Sequence, residues 1–266
     1  MNPSQSDRLI RIVAPVFVGV LVVAGWQAVV WLEGIPPYVL PGPLLVGSTL
    51  WHDGPSLLGS LAVTLRITVA ALAAAVILGA AIAVLFAQSR LLEISLFPYA
   101  VILQVTPIVA IAPLIIIWLK DEIFLSLLVC AWIVAFFPVV ANTTLGLKSA
   151  DRNLIDLFRL YGASRWQRLR HLQIPTALPY FLSGVRISGG LALIGAVVAE
   201  FVAGTGGADT GLASRILEAG YRLEFARQFA ALLLLAGTGV AIFAILSWAS
   251  RRLIGHWHES ALPGEE

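Results

Sequence analysis

The side chains from which this chain could build a reactive centre are few and poorly spaced for one. Its two lysines, Lys120 and Lys148, each follow a leucine, so neither closes the GxxxxGK[ST] loop that cradles nucleotide phosphates. ATP hydrolysis by that route is excluded. Cys130, the single cysteine, sits inside an apolar run and has no second thiol for a disulfide or a thiolate metal site. His52, His171, His256 and His258 do not fall with carboxylates at ligand spacing. No nucleophile and base are paired along the chain, so no covalent reaction, cofactor or metal is expected.

What remains is the chemistry of contact, concentrated in residues 148–177, which hold six basic side chains and a central glycine. Leu154, Leu157, Phe158 and Tyr161 fall at i, i+3, i+4 and i+7 and make one apolar stripe on a short helix. Gly162 suits the left-handed position that closes such a helix. Ser164-Arg165-Trp166-Gln167 then has the form of a capping box opening a second helix. Pro175 and Pro179 bracket the exit from it. Two short amphipathic helices joined at a glycine either lie among lipid headgroups, arginines on phosphates, or grip a soluble partner. The residues alone leave both open.

The elements that position this loop follow from composition. The 266 residues are 59% hydrophobic and 12% charged, with a mean hydropathy of +0.92, against roughly 25% charged residues in an ordinary soluble domain. A net charge of +2 is too small and scattered for a nucleic-acid surface. Apolar runs cover residues 12–31, 61–87, 96–119, 123–147, 178–203 and 229–253, each near the ~20 residues that cross hydrocarbon. They must be helices, because lipid offers a backbone amide no partner and barrel alternation is missing. The first run follows Arg8 and Arg11 as a secretory signal would. It is too long and lacks a small-residue cleavage pattern, so it is read as a retained span. The chain then divides into residues 1–56 (N-terminal segment, first span, outer loop), a 57–254 core and a 255–266 tail.

Basic residues set the orientation. With the N-terminus inside, cytoplasmic segments hold eleven Lys and Arg, the outer segments hold Lys120, Arg215, Arg222 and Arg227, and Arg66 and Arg186 snorkel from within spans. Both termini and the 148–177 loop are therefore expected in the cytoplasm. Pro98, Pro107 and Pro113 predict a kinked third span, shaping either a pathway or only the packing. The fifth span is rich in small residues from Ser183 to Ala196, suited to close helix packing or to lining a pathway. Glu200 near its outer end is a functional candidate or an interfacial carboxylate paired with Arg215, Arg222 or Arg227. Gly204 to Gly211 has a weak nucleotide-loop look but follows a membrane helix rather than a strand, so an outer loop or gate-region turn is expected.

These residues resemble a family. Asp156-Leu157-Phe158, then Gly162, then Leu172-Gln173-Ile174-Pro175 is similar to the signature loop of ATP-binding-cassette (ABC) importer permeases. There Glu-Ala-Ala is followed by Gly and an Ile-x-Leu-Pro ending. The double alanine is replaced here by Leu157 and Phe158, which makes the docking face bulkier. Leu40-Pro41-Gly42-Pro43, the stretch from Pro107 to Trp118, Phe137-Pro138 with Asn142-Thr143, Gly162-Ala163-Ser164-Arg165-Trp166, Ala177-Leu178-Pro179-Tyr180 and Val197-Val198-Ala199-Glu200 resemble the nitrate, sulfonate and taurine branch. That branch includes permeases for thiamin-pyrimidine precursors and similar heterocycles.

The resemblance implies an all-α membrane protein of about six spans with the type I importer permease fold, working as a homodimer in the cell inner membrane. It implies that Asp156, Leu157, Phe158, Arg159, Gly162, Ala163, Ser164, Leu172, Ile174 and Pro175 couple the spans to a separate ABC ATPase subunit. A periplasmic or lipid-anchored substrate-binding protein would deliver a small polar solute. Pro107, Asn142, Gly189 and Glu200 are the pathway candidates. The rival reading is an ion-gradient-driven secondary transporter, which is expected to show internal repeats and midplane ionisable groups that this sequence lacks.

Overall fold

The computed structural model describes residues 5–204 and 210–254; residues 1–4, 205–209, on which most of the expected outer loop or gate-region turn falls, and 255–266, the expected tail, lie outside the described residues. The helices are α1 (Gln5–Leu32), α2 (Pro43–Gln88), α3 (Arg90–Val105), α4 (Ile108–Trp118), α5 (Ile123–Lys148), α6 (Arg152–Leu160), α7 (Arg165–Arg168), α8 (Ile174–Ala203), α9 (Leu212–Tyr221) and α10 (Phe225–Ile254), with no strand among the described residues. A π-helical turn, Leu169–Gln173, joins α7 to α8. Five helices are long and apolar enough to cross a membrane, and the bent pair α3 and α4 makes a sixth span if taken as one.

α5 is the hub. Half of its apolar window is buried, whereas that of α1 has no buried residue. It packs along α2 and α8, and the contact with α8 is close because glycines stand at both ends of it. A side chain at Gly184 would come within 2.7 Å of the Pro138 carbonyl, and one at Gly195 within 2.8 Å of the Ala131 Cα. Between them the Ser188 hydroxyl donates to the Ala135 carbonyl at 2.6 Å. The small residues at 184, 188 and 195 thus serve helix packing within the chain, where dispersion rather than the hydrophobic effect holds helices together in lipid.

The third span differs from a simple kink. α3 and α4 meet at 98°. Thr106 and Pro107 are both extended, with ψ of 123° and 112°, because a proline ring disfavours the helical region for the residue before it and removes its own amide donor. Pro98 and Pro113 lie inside helices without such a break.

α2 differs too. It is 46 residues long, roughly 70 Å at the α-helical rise, more than twice the ~30 Å of hydrocarbon. Residues expected as outer loop are helical from Pro43, which starts the helix in the position where a missing amide costs nothing. This extension is held because Val46 and Leu57 pack against Leu212 and Ile216 of α9 and Ala230 and Ala231 of α10.

Candidate functional site

At one end of the bundle the chain leaves α5, turns through Asp151, whose side chain accepts the Asn153 amide at 2.7 Å, and forms α6. This helix buries none of its residues. Its stripe faces open space: Leu154 is 44% exposed, Leu157 46% and Tyr161 82%, with Phe158 half-buried. The Asp156–Arg159 ion pair at 3.0 Å is exposed on both sides and adds little stability there.

Gly162 follows with φ of +73°. Its amide donates to Arg159 and that of Ala163 to Phe158, each at 2.9 Å, closing the helix C-terminus. The capping box then forms as the spacing predicts: Gln167 N donates to Ser164 Oγ at 3.2 Å, and Ser164 N donates to Gln167 Oε1 at 2.7 Å. The helix so opened is not short, however. Arg165–Ala203 runs as one apolar helical element of 39 residues. The π turn widens the helix just before Pro175, where the ring has no amide to give, so the chain passes the proline without ending.

The structure gathers Leu157, Phe158, Gly162 and Ala163 on one cavity of about 420 Å³, with Gln167 and His171. Ser164 caps the second arm. Leu172 stands apart from this surface, buried with Leu169 at the foot of the bundle, where Leu169 packs on Ala83, Leu147 and Ala177. Ile174 and Pro175 are exposed further along, outside that cavity. The joint is thus an exposed arm, a glycine pivot and a second arm continuous with a buried span.

The four pathway candidates occupy four different surroundings. Pro107 is exposed at the 98° break. Asn142 donates to the Pro138 carbonyl at 2.8 Å beside Gly184. Gly189 faces Leu246 and Ile242 of α10, so it serves a helix contact.

Glu200 is 2% exposed at the other end of the bundle. Thr64 Oγ1 donates to Glu200 Oε1 at 2.8 Å and accepts the Leu212 amide at 2.8 Å. The Ala213 amide donates to Glu200 Oε2 at 2.9 Å. Gly211 lies against the carboxylate so closely that any side chain there would collide with it. Glu200 and Thr64 together therefore cap α9, where unpaired amides and the positive end of the helix dipole favour an acceptor. The expected alternative, an interfacial carboxylate paired with a nearby arginine, is corrected here. Arg215 pairs with Glu218 at 2.7 Å and donates to Ser60 Oγ at 3.2 Å, Arg222 pairs with Glu218 at 2.8 Å, and Arg227 pairs with Asp53 and Glu224. Those guanidinium groups hold the Glu218 carboxyl below its usual range, the Arg215 hydrogen bond first among the causes.

Sequence reasoning missed Thr64, Gly211 and α9. The signal for the helix was Leu212, Ile216 and Ala219, at i, i+4 and i+7, now buried together.

A family described as "Binding-protein-dependent transport system inner membrane component" matches residues 75–255. The riboflavin transport system permease protein RibX of Chloroflexus aurantiacus is 35% identical over 249 residues, 90% of this chain and 88% of that one. The formylaminopyrimidine transport permease protein ThiX of Halalkalibacterium halodurans is 35% identical over 177 residues, covering 66% of this chain and 69% of its own. The putative aliphatic sulfonates transport permease protein SsuC of Bacillus subtilis is 30% identical over 245 residues, 90% of this chain and 86% of that one. A crystal structure of an amino acid ABC transporter with histidines superposes with a TM-score of 0.63 at 18% identity, over 76% of this chain and 96% of that one, which establishes likeness of fold.

Proposed function

The chain belongs to the family of binding-protein-dependent transport system inner membrane components, and from that membership we propose that it is driven through the Gly162 joint by an ATPase docked on α6. It is a multi-pass membrane permease of an ABC importer, a transport protein and not an enzyme. Members of the family work with an ATPase and a substrate-binding protein, which leaves the gradient-driven alternative without support.

One observation carries the coupling reading: α6 is amphipathic, buries none of its residues, and hinges at Gly162 onto a helix that continues into the buried α8. An apolar face without a partner beside a pivot suits a docking arm, and force applied to it reaches the span directly. Asp156, Leu157, Phe158, Arg159, Gly162, Ala163 and Ser164 form the contact and pivot, with Ile174 and Pro175 flanking. Leu172 acts from inside as the anchor of the second arm.

The functional unit is a homodimer in the cytoplasmic membrane, with both termini and the joint inside. The excess of Lys and Arg at that end supports this orientation. Its solute is small and polar, either a sulfonate-like anion or a pyrimidine-type heterocycle, in line with the names of its relatives. Co-expression with the ATPase and binding protein tests the scheme. The expected result is a detergent-stable complex cross-linked from a cysteine at Leu157 to the ATPase, with ATP turnover raised by one solute of those classes. A chain that purifies without any ATPase, or one whose position 157 is reached only by an outside label, would overturn it.

A further inference from the structure

A second cavity, of about 540 Å³, opens where the corner between α2 and α3 meets the joint. Arg90 from α3, Arg159 from α6 and Arg165 and Arg168 from α7 line it, and no carboxylate does. Arg159 is engaged with Asp156. Among the described residues Arg90, Arg165 and Arg168 form no ion pair. The Arg168 Nε is shielded from solvent without a hydrogen-bond acceptor.

Four guanidinium groups around one cavity repel each other, and a buried donor with no acceptor is costly. Both penalties vanish when an oxyanion with several acceptor oxygens fills the space, and the planar fork of arginine matches phosphate in particular. The walls next to the cavity narrow the source. Ala87 and Arg90 also border an open groove of about 660 Å³ whose other walls are Phe86, Ile94, Phe97 and Pro98 together with Glu93 and Lys148, whose charges are neutralised in an ion pair with each other. A basic cavity continuous with an aromatic and aliphatic groove is amphiphilic, like a phospholipid.

We propose that Arg90, Arg165 and Arg168 bind the phosphate of an anionic phospholipid whose acyl chain lies along Ile94, Phe97 and Pro98. The bound phosphate ties α3 to α7, so it braces the second arm of the joint against the bundle. This site requires the chain to sit in a membrane but does not depend on the ATPase docking assigned to α6.

The test uses the full chain purified with its ATPase in mild detergent, with retained phosphatidylglycerol measured by native mass spectrometry. The R165Q/R168Q variant should hold less lipid by at least about tenfold and up to about a hundredfold, since each of the two lost charge-assisted contacts is worth about a factor of ten. R251Q/R252Q, which removes equal charge from the end of α10, should hold as much as the parent. R165K/R168K keeps the charge and guards against misfolding; it should fall between them, because lysine lacks the fork. A parallel arm adds inorganic phosphate alone. Thermal stabilisation by phosphate equal to that by phosphatidylglycerol, again lost in R165Q/R168Q, would overturn the lipid source in favour of a soluble anion. Undiminished phosphatidylglycerol in R165Q/R168Q would overturn the site, including when that variant sheds the ATPase, which would assign the arginines to the ATPase surface.

Discussion

Thr64 on α2 and Glu200 on α8 are joined by a hydrogen bond of 2.8 Å, and between them they hold both of the first two backbone amides of α9. Three helices distant in sequence therefore meet at one buried carboxylate. E200A removes an acceptor from two buried donors, which costs about 1–3 kcal/mol for groups left unpaired. E200Q keeps the shape and one oxygen, so it should cost less. In the assembled transporter E200A is expected to lower the thermal midpoint more than E200Q and to raise ATP turnover without solute, because α9 is no longer tied to α2. Equal midpoints for the parent and E200A would show that the carboxylate does not hold α9.

Gly211 gives an independent handle on the same contact. A methyl group there collides with the carboxylate of Glu200, so G211A should force that side chain out and reproduce E200A. In a double-mutant cycle the two changes are then expected to be less than additive by about 1 kcal/mol or more, as for residues in direct contact. Strict additivity in measured stability would mean that the two positions act separately.

Glu218 sets an acid limit on the end of the bundle that carries α9. Its carboxyl is held below the usual value of 4.5, first by the Arg215 hydrogen bond and further by the charges of Arg215, Arg222 and Arg227, against the opposing effect of desolvation. A carboxyl with a depressed folded value contributes stability that is complete above the unfolded value and is lost as pH falls through the folded one. Thermal stability of the detergent-solubilised protein should therefore decline as pH falls below about 4.5, and E218Q should flatten that decline while lowering stability near neutrality. A parallel decline in E218Q would assign the acid sensitivity elsewhere.

The spans were legible because lipid allows only one backbone solution for a long apolar run. The joint was legible because its signals are local: the glycine of φ +73° and the Ser164–Gln167 box are each set within four residues. What escaped was non-local. Thr64 and Glu200 stand 136 positions apart, and no spacing rule connects them. The α9 helix is ten residues long and never makes an apolar run. The second apolar run begins only at residue 61, yet α2 already starts at Pro43 because Val46 and Leu57 find partners on α9 and α10. Three prolines in the third span look alike in sequence, but only Pro107 stands at the 98° break, with extended backbone on both Thr106 and Pro107.

The pivot itself can be tested without disturbing its surroundings. A Cβ added at Gly162 meets no atom within 4 Å, so within this chain substitutions there act through the backbone. An L-residue in the left-handed region costs about 1–2 kcal/mol, more for a β-branched one, while asparagine tolerates that region better than most. Transport per ATP should therefore fall in the order Gly, Asn, Ala, Val, while membrane insertion and the buried core at Leu169 and Leu172 stay intact. Steric clash would order the variants by size instead, placing Asn with Val rather than near Gly. If G162V imports solute at the parental ratio to ATP consumed, the backbone at this position does not need a positive φ for coupling, and the two arms do not work as a hinge.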